Sequence, residues 1–244
     1  MSKPQGGAHS GERTESSPTP RQFVNFCFFK VDPAWRQLPK SEREVGKQEF
    51  KAVVEEYAPK MLILPYTTVG IRADADLMLW RISYDLDLFQ EMSSKLLVSG
   101  VGKYLTTSHS LLALAKRSIY LDRLDPSHPA DRSRIVPGKS KYLFVYPFVK
   151  TRDWYMMTQA ARQGMMDEHI AIGSKYHSVK LNTTYSFGLD DQEFVVAFET
   201  DAPSDFLDLV MELRSSEASR FTLRDTPAFT CLGRSLGEAL DSLG

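Results

Sequence analysis

The sequence predicts an α+β fold of two duplicated ferredoxin-like units, a dimeric α/β barrel with antiparallel sheets and helices outside. The first observation is that an aromatic, strand-like run, a tryptophan and a glycine turn occur in the same order in each half. The second is a nearly constant spacing, because the glycines are 118 residues apart and the tryptophans 119. The matched features are 23–30 with 142–150, Trp35 with Trp154, and Gly70 with Gly188.

The first half is predicted as strand, helix, strand, strand, helix. Its opening apolar run stops at Asp32 and Pro33, as a core strand does. A Ser-x-x-Glu sequence then begins a stretch with apolar residues at helical spacing. The predicted elements are a strand at 23–31, a helix opening at 41–44, strands at 61–71 and 75–84, and a helix at 85–98.

The second half repeats this order. A hairpin is predicted around Gly188 and the two aspartates Asp190 and Asp191, where turn chemistry favours Gly and Asp. A final short run at 227–231 completes the unit. The predicted elements are a strand at 141–150, a helix at 158–176, strands at 178–187 and 192–200, a helix at 204–216 and the last strand.

Composition changes suggest the segment boundaries. Residues 1–20 are rich in Ser, Gly, Pro, Glu and Arg, which is typical of a disordered tail. Residues 122–140 are polar, hold three prolines, and are long for a connection inside a compact protein, which favours a role at a site. The predicted segments are a disordered tail 1–20, an N-terminal unit 21–105, a connecting segment 106–140 lining the site, a C-terminal unit 141–234 that holds the ligand, and a tail 235–244.

The overall composition narrows the class of protein. Hydrophobic residues make up 42% and charged residues 25%, which is ordinary for a soluble domain. The net charge of −1 disfavours nucleic acid as a partner, and no apolar run is long enough for a membrane span. Cys27 and Cys231 are far apart and set among apolar residues, so we expect buried free thiols in a reducing cytoplasm.

His169 is the histidine best placed to bind a ligand. Its helical neighbours are Met165, Met166, Ile172 and Gly173, so its imidazole faces the interior beside a residue that leaves space for a flat group. A buried histidine satisfied by hydrogen bonds is the alternative. No partner occurs at zinc-ligand spacing, whereas a haem needs a single histidine.

Other polar and aromatic residues have two interpretations each. Tyr146 on the strand 141–150 is either a core aromatic or a functional phenol. Arg132 and Arg134 form either a solvated loop or a clamp for carboxylates, which guanidinium groups bind well. Asp190 and Asp191 lie in a turn where Asp is expected, and we assign them no catalytic role.

The motifs taken together resemble the chlorite dismutase family, and within it the coproheme decarboxylases of haem synthesis more than the true chlorite dismutases. The resemblance covers roughly residues 23–231 and is strongest from residue 141 onward. It implies a pair of ferredoxin-like units and a homopentamer. The motifs, in order, are 142–150, Trp154-Tyr155-Met156, Glu168-His169, Gly188-Leu189-Asp190-Asp191 and Glu217-Ala218-Ser219-Arg220.

The resemblance also implies roles for individual residues. His169 matches the axial iron ligand. Beside this match, Glu217 is a candidate acceptor for the other ring hydrogen of His169, as carboxylates next to metal-binding histidines often are. Tyr146 matches a tyrosine oxidised to a radical near a propionate, and Lys150 a lysine that assists it. The remaining matches are propionate contacts: Arg132, Arg134, Ser219 and Tyr120.

One position departs from the family pattern. Seven residues before Gly188, chlorite dismutases have an arginine above the iron and one group of decarboxylases has a glutamine, but here Leu181 or Asn182 stands there. Actinobacterial relatives have a small residue at that position and use a histidine from the connecting segment. That histidine aligns near Ile119, and His128 is the only substitute nearby.

The implied activity is the conversion of iron coproporphyrin III (coproheme) to haem b with hydrogen peroxide. The ring is then both substrate and redox cofactor, and porphyrin and peroxide are the partners. The alternatives are a chlorite dismutase, which splits chlorite into chloride and dioxygen, and a non-catalytic haem-binding protein.

Overall fold

A computed structural model describes residues 20–120 and 134–244, and this part of the chain contains nine strands and seven α-helices. The N-terminal elements are β1 (Phe23–Val31), α1 (Ala34–Gln37), α2 (Lys40–Tyr57), β2 (Leu62–Thr67), β3 (Leu77–Ser83), α3 (Asp87–Val98) and β4 (Leu105–Leu114). The C-terminal elements are β5 (Tyr142–Lys150), α4 (Arg152–Met156), α5 (Gln159–Gly173), β6 (Lys180–Tyr185), β7 (Phe194–Thr200), α6 (Pro203–Arg214), β8 (Thr222–Arg224), β9 (Phe229–Gly233) and α7 (Leu236–Asp241).

The two halves share one topology. In the N-terminal half the strands lie in the order β4-β1-β3-β2, and in the C-terminal half the equivalent strands lie in the order β9-β5-β7-β6. Both orders are those of a ferredoxin-like unit, in which the first and third strands are central. Gly70 and Gly188, at the matching hairpins, both have positive φ, 77° and 72°. The duplication predicted from the sequence is therefore confirmed.

Two seams join the halves into a barrel. β2 pairs with β9, with Thr67 opposite Leu232, and β4 pairs with β6 through Leu114 and Tyr185. Because β5 pairs with β7 as well as with β9, eight of the described strands form a closed antiparallel ring, and β8 extends the end of β5. Closure leaves the ring without a free edge strand.

The barrel interior is an apolar core supplied by both halves. Phe28 from β1 stacks on Phe229 from β9, with ring centroids 4.0 Å apart.

Each glycine hairpin is hydrogen-bonded to the other half of the chain. Arg72 donates to the Ala228 carbonyl, and the Asp190 carboxylate accepts from the Leu112 amide at 2.8 Å. Asp190 thus has a structural role, because it connects the turn to β4 of the N-terminal half.

Two segment predictions differ from the structure. Residues 105–114, placed mostly in a connecting segment, form β4, which pairs with β1 along its length. The polar run Thr106 to Ser110 has no apolar alternation to signal a strand. Residues 236–241, placed in a tail, form α7, whose Ala239 and Leu240, with the following Leu243, are buried against the N-terminal helices.

Candidate functional site

The two halves differ in how completely their outer layers are filled. Between the N-terminal sheet and its helices lie large side chains that are almost fully buried, among them Trp35, Phe50 and Tyr57. In the C-terminal layer the cluster of buried apolar side chains is smaller, consisting of Ile172, Phe198 and Leu209, and Trp154 of α4 is buried as well. We call the space between α5 and the outer face of β5, β7 and β6 the C-terminal cleft.

Strand register arranges the sheet wall of the cleft in rows. Leu143 and Val145 point into the barrel, so Phe144 and Tyr146 point outward. Tyr146 lies opposite Val196, which lies opposite Thr183 on the next strand. The next row is aromatic throughout, consisting of Phe148, Phe194 and Tyr185.

Tyr146 lies on this wall with its ring stacked on Phe198, the centroids being 5.9 Å apart. Burial raises the pKa of the Tyr146 phenol, and the carboxylate of Asp225 adds to the shift while Arg214 opposes it. The phenol therefore keeps its proton at neutral pH. A protonated phenol at a cleft can release a hydrogen atom, which a phenolate cannot.

His169 faces the cleft from the helix α5, which Thr158 caps by accepting from the Ala161 amide. Burial lowers the pKa of the imidazole, and the nearby positive charge of Lys150 lowers it further. His169 is therefore neutral at neutral pH, as a metal ligand must be. Its Nδ1 is buried and has no hydrogen-bond partner among the described residues.

Open space lies beside this imidazole. Gly173 is one helical turn beyond His169 on the same face, and a Cβ built there meets no atom within 4 Å. The structure therefore leaves room along this face of α5, in agreement with the sequence-based prediction.

Lys150 lies between the sheet wall and α5. Its Nζ donates to the Ala218 carbonyl at 2.7 Å and lies 4.5 Å from the ring centroid of Trp154. Burial lowers the pKa of this ammonium to about 8, and Glu193 partly opposes the shift. The Lys150 charge is thus incompletely compensated, which suits it to an anionic ligand.

Tyr120 and Ser219 border the same cleft. Gln163 of α5 donates to the Tyr120 carbonyl at 3.1 Å, and the Tyr120 ring contacts Trp154 edge-on. The Ser219 hydroxyl donates to the carbonyls of Arg214 and Ser216. Binding a carboxylate through Ser219 would require its hydrogen to turn away from these carbonyls.

The structure describes only one of the two predicted arginines. Arg134 is exposed near the start of the second described segment. Arg132 and His128 lie outside the described residues. The structure therefore brings together His169, Tyr146, Lys150, Tyr120 and Ser219, and leaves the arginines as predictions.

Glu217 does not have the hydrogen bond that the sequence suggested. Its carboxylate pairs with Arg220 at 3.3 Å, and its amide donates to Glu168. The short 3-10 turn 217–221 directs this side chain to solvent, so that it does not contact His169 Nδ1. The predicted acceptor role of Glu217 is therefore wrong for the described conformation.

The position seven residues before Gly188 is apolar on the cleft side. Leu181 points outward and is 48% exposed, whereas Asn182 points into the barrel and donates to Glu199 at 2.8 Å. Strand alternation decides between the two residues. Thus neither an arginine nor a glutamine occupies this part of the wall.

Glu193 is a residue that the sequence reasoning missed. Its Oε2 accepts from the Lys150 amide at 2.8 Å and from the Tyr155 hydroxyl, so it ties β5 and α4 to the start of β7. A carboxylate immediately before an apolar strand was the only signal. That signal is equally typical of an ordinary turn.

The fold and the cleft together define a class: a duplicated ferredoxin-like barrel in which one half keeps a histidine-lined space and the other is filled. The family model for chlorite dismutase matches residues 43–234. The chain belongs to the chlorite dismutase family, whose members include enzymes and haem-binding proteins.

Individual relatives agree with this assignment. The chain is 33% identical over 213 residues to a coproheme decarboxylase from Mycolicibacterium smegmatis, covering 86% of this chain and 88% of the relative. It is 26% identical over 220 residues to a chlorite dismutase from Ideonella dechloratans, covering 87% and 76%.

Solved structures show the same fold. A mutant chlorite dismutase from Candidatus Nitrospira defluvii superposes with a TM-score of 0.83 at 28% identity, covering 90% of this chain and 94% of that one. A haem-binding protein from Thermus thermophilus gives 0.82 at 29% identity, covering 91% and 94%. Among the described residues, no helix is long and apolar enough to cross a membrane.

Proposed function

We propose that this protein converts iron coproporphyrin III to haem b by peroxide-dependent oxidative decarboxylation. In each of two steps, one propionate and one hydrogen peroxide give one vinyl group, one carbon dioxide and two waters. The observation that carries the proposal is the placement of Tyr146 and Lys150 on the wall of the cleft that His169 faces. The relative named coproheme decarboxylase, at 33% identity, supports it.

The residues of the cleft fit an iron porphyrin. His169 is neutral and would hold the iron through a ring nitrogen, and its buried Nδ1 has no hydrogen-bond partner among the described residues. The open space at Gly173 and the aromatic row on the facing wall suit a flat, apolar ring. When bound, the iron supplies peroxide activation and accepts electrons from the substrate.

Tyr146 is the proposed relay between the oxidant and the substrate. The Tyr146 phenol is protonated at neutral pH, and burial raises its pKa further, so Tyr146 can give up an electron and a proton together and then take a hydrogen atom from the propionate β-carbon. Loss of carbon dioxide and a second electron leaves the vinyl group. Lys150 would orient the reacting carboxylate through its ammonium group.

The remaining contacts hold the other carboxylates. We propose Arg132, Arg134, Ser219 and Tyr120 for this role, since a tetracarboxylate requires several charge-assisted partners. A haem b molecule, with two carboxylates, would use fewer of them. The proposal therefore includes tighter binding of iron coproporphyrin than of haem b.

The apolar wall at Leu181 supports this activity over chlorite dismutation. The family resemblance implies an arginine at this position in chlorite dismutases, and no described residue supplies a guanidinium there. Tyr146 also has no task in splitting chlorite. A haem carrier would bind haem b without turnover.

One experiment separates the three functions. Purified protein is incubated with iron coproporphyrin III and stoichiometric hydrogen peroxide, and the pigments are identified by mass spectrometry. We expect haem b, through an intermediate that has lost one carboxyl group. Unchanged iron coproporphyrin would overturn the proposal, and dioxygen released on addition of chlorite would instead support a chlorite dismutase.

The proposal also covers the oligomeric state of the protein and its location in the cell. We propose a cytoplasmic homopentamer with the porphyrin and hydrogen peroxide as its small-molecule partners. The mass of the native assembly, measured by light scattering during gel filtration, tests the pentamer. A monomer or dimer mass would contradict that part.

A further inference from the structure

Two lysines stand at opposite ends of the aromatic row on the cleft wall. The row runs Tyr185, Phe194, Phe148 across three adjacent strands. Lys116 Nζ lies 5.6 Å from the ring centroid of Tyr185, and Lys150 Nζ lies 5.2 Å from that of Phe148. With strands about 4.8 Å apart, the ends of the row are separated by roughly 10 Å.

The backbone holds Lys116 close to this position. Leu114, two residues earlier, pairs with Tyr185 across the β4–β6 seam, and the Ala115 amide donates to the Gln22 carbonyl at 2.8 Å. Beyond Lys116, the Tyr120 carbonyl accepts from Gln163 of α5. Hydrogen bonds therefore connect the residues on either side of Lys116 both to the barrel and to the helix that carries His169.

The described part of the fold gives Lys116 no anionic partner. Among the described residues, no carboxylate forms an ion pair with Lys116, and its ammonium lies over the face of Tyr185 instead. A cation over an aromatic ring gains little at an exposed site. Because Lys116 is exposed at the edge of an open cleft, its ammonium is free to turn to a ligand carboxylate, which is a better partner than the ring alone.

We propose that Lys116 binds a carboxylate of the porphyrin on the side of the cleft away from Lys150. This inference rests on the proposed function. The proposed reacting groups, Tyr146 and Lys150, are both on β5, whereas Lys116 lies beyond β6. Lys116 therefore contacts a propionate that survives the reaction, which iron coproporphyrin and haem b both carry.

The test measures affinity, so it does not depend on turnover. Apoprotein with Lys116→Gln is titrated with iron coproporphyrin III and, separately, with haem b, and binding is followed by tryptophan fluorescence quenching. We expect both dissociation constants to rise by a similar factor of about three to ten, the range of a partly screened charge-assisted contact. Added salt should reduce the difference from the parent protein.

Three variants serve as comparisons. Lys116→Arg keeps the charge and should bind like the parent. Lys103→Gln removes an exposed lysine of the N-terminal half and should also bind like the parent. Lys150→Gln should weaken iron coproporphyrin more than haem b, because its proposed partner is lost in the reaction.

The result of this affinity test can be told apart from a failure of the proposed function. Unchanged affinity of Lys116→Gln for both pigments overturns the inference, and so does a loss confined to iron coproporphyrin. If the parent binds both pigments but produces no haem b, the proposed function fails, while the affinity comparison still decides whether Lys116 is a carboxylate contact.

Discussion

The chemistry of the cleft depends on a few side chains whose pKa values are shifted by burial. The Tyr146 phenol is protonated and the His169 imidazole is neutral at neutral pH, and burial strengthens both preferences by raising the pKa of the first and lowering the pKa of the second. Lys150 is the exception, because its pKa of about 8 is close to neutrality. The cleft therefore presents a protonated phenol, a neutral imidazole and a lysine whose charge changes near neutrality, which are the groups that the proposed function uses.

Tyr146→Phe is expected to bind iron coproporphyrin almost normally and to produce no haem b. The substitution keeps the ring that stacks on Phe198, and removes the only hydrogen that the side chain can give to an oxidant. Single-turnover assays with stoichiometric peroxide measure this. Tyr142→Phe, on the same strand and the same face, is the matched control and should behave as the parent. Haem b formed by Tyr146→Phe at the parent rate would refute the relay.

His169→Ala is expected to remove the axial histidine from the bound iron. Resonance Raman spectra of the ferrous complex report the iron–histidine stretch directly. The band should be present in the parent and absent in the variant. His177→Ala, an exposed histidine beyond the end of α5, is the control. A band that persists in His169→Ala would mean that another residue binds the iron.

The affinity for iron coproporphyrin is expected to fall as the pH rises through about 8, the pKa of Lys150. Below that value Lys150 of the free protein is charged and can pair with a carboxylate; above it, binding must take up a proton, which costs free energy. Titrations from about pH 6.5 to about 9.5 measure the trend. In Lys150→Gln this part of the pH dependence should be missing, and an identical profile in the two proteins would exclude Lys150 as its source.

At the scale of elements, the strands and helices rich in apolar residues could be predicted from the sequence. Those with many polar residues could not. β1 was predicted at its observed bounds, because nearly all its residues are buried and its end is marked by Asp32 and Pro33. β4 was missed because half its residues are polar, and its stability comes from pairing with β1. Such pairing is a long-range property that a local pattern does not encode.

The site shows the same division between local and distant causes. Helical spacing predicted that His169 faces the interior, where the cleft lies. The outward direction of the Leu181 side chain followed from strand alternation once the strand register was known. The orientation of Glu217 depended on a 3-10 turn, and the bond from Glu193 to the Lys150 amide joins residues 43 apart in sequence. Neither could be derived from spacing alone.

The helix α7 is expected to contribute to the stability of the N-terminal half. Leu240 is 2% exposed and packs in the same cluster as Trp35 and Phe50. Leu240→Ala should lower the free energy of unfolding by about 2–4 kcal/mol, as large-to-small core substitutions do. Leu207→Ala, at a position 60% exposed on α6, should change it by less than about 0.5 kcal/mol. Urea denaturation measures both, and equal effects would contradict the assignment of α7 to the core.

At the scale of the whole molecule, one half has a filled outer layer and the other carries the proposed binding space. The difference comes from the outer layers, since both halves contribute to the same barrel core. Dynamics should follow packing, because elements with few buried contacts open most readily. The C-terminal helix α5 is therefore expected to be the less protected one in the free protein.

Porphyrin binding is expected to slow amide hydrogen exchange in α5 and on β5 to β7, and to leave α2 and α3 unchanged. The ligand fills the layer that the C-terminal half leaves open, whereas the N-terminal layer is already closed by Phe50 and Tyr57. Exchange measured by mass spectrometry with and without iron coproporphyrin tests this. Protection confined to α2 and α3 would place the ligand on the wrong half.

The two seams of the barrel follow one rule, since the second strand of each half pairs with the last strand of the other. A half on its own would present both of those edges unpaired, and an identical copy would satisfy them by the same rule. The barrel thus has the architecture of a two-fold symmetric homodimer whose two subunits have been joined in one polypeptide by tandem duplication. Such an ancestor would have had two equivalent clefts. The present chain keeps one, and in the N-terminal half the aromatic side chains of Phe50 and Tyr57 occupy the corresponding layer.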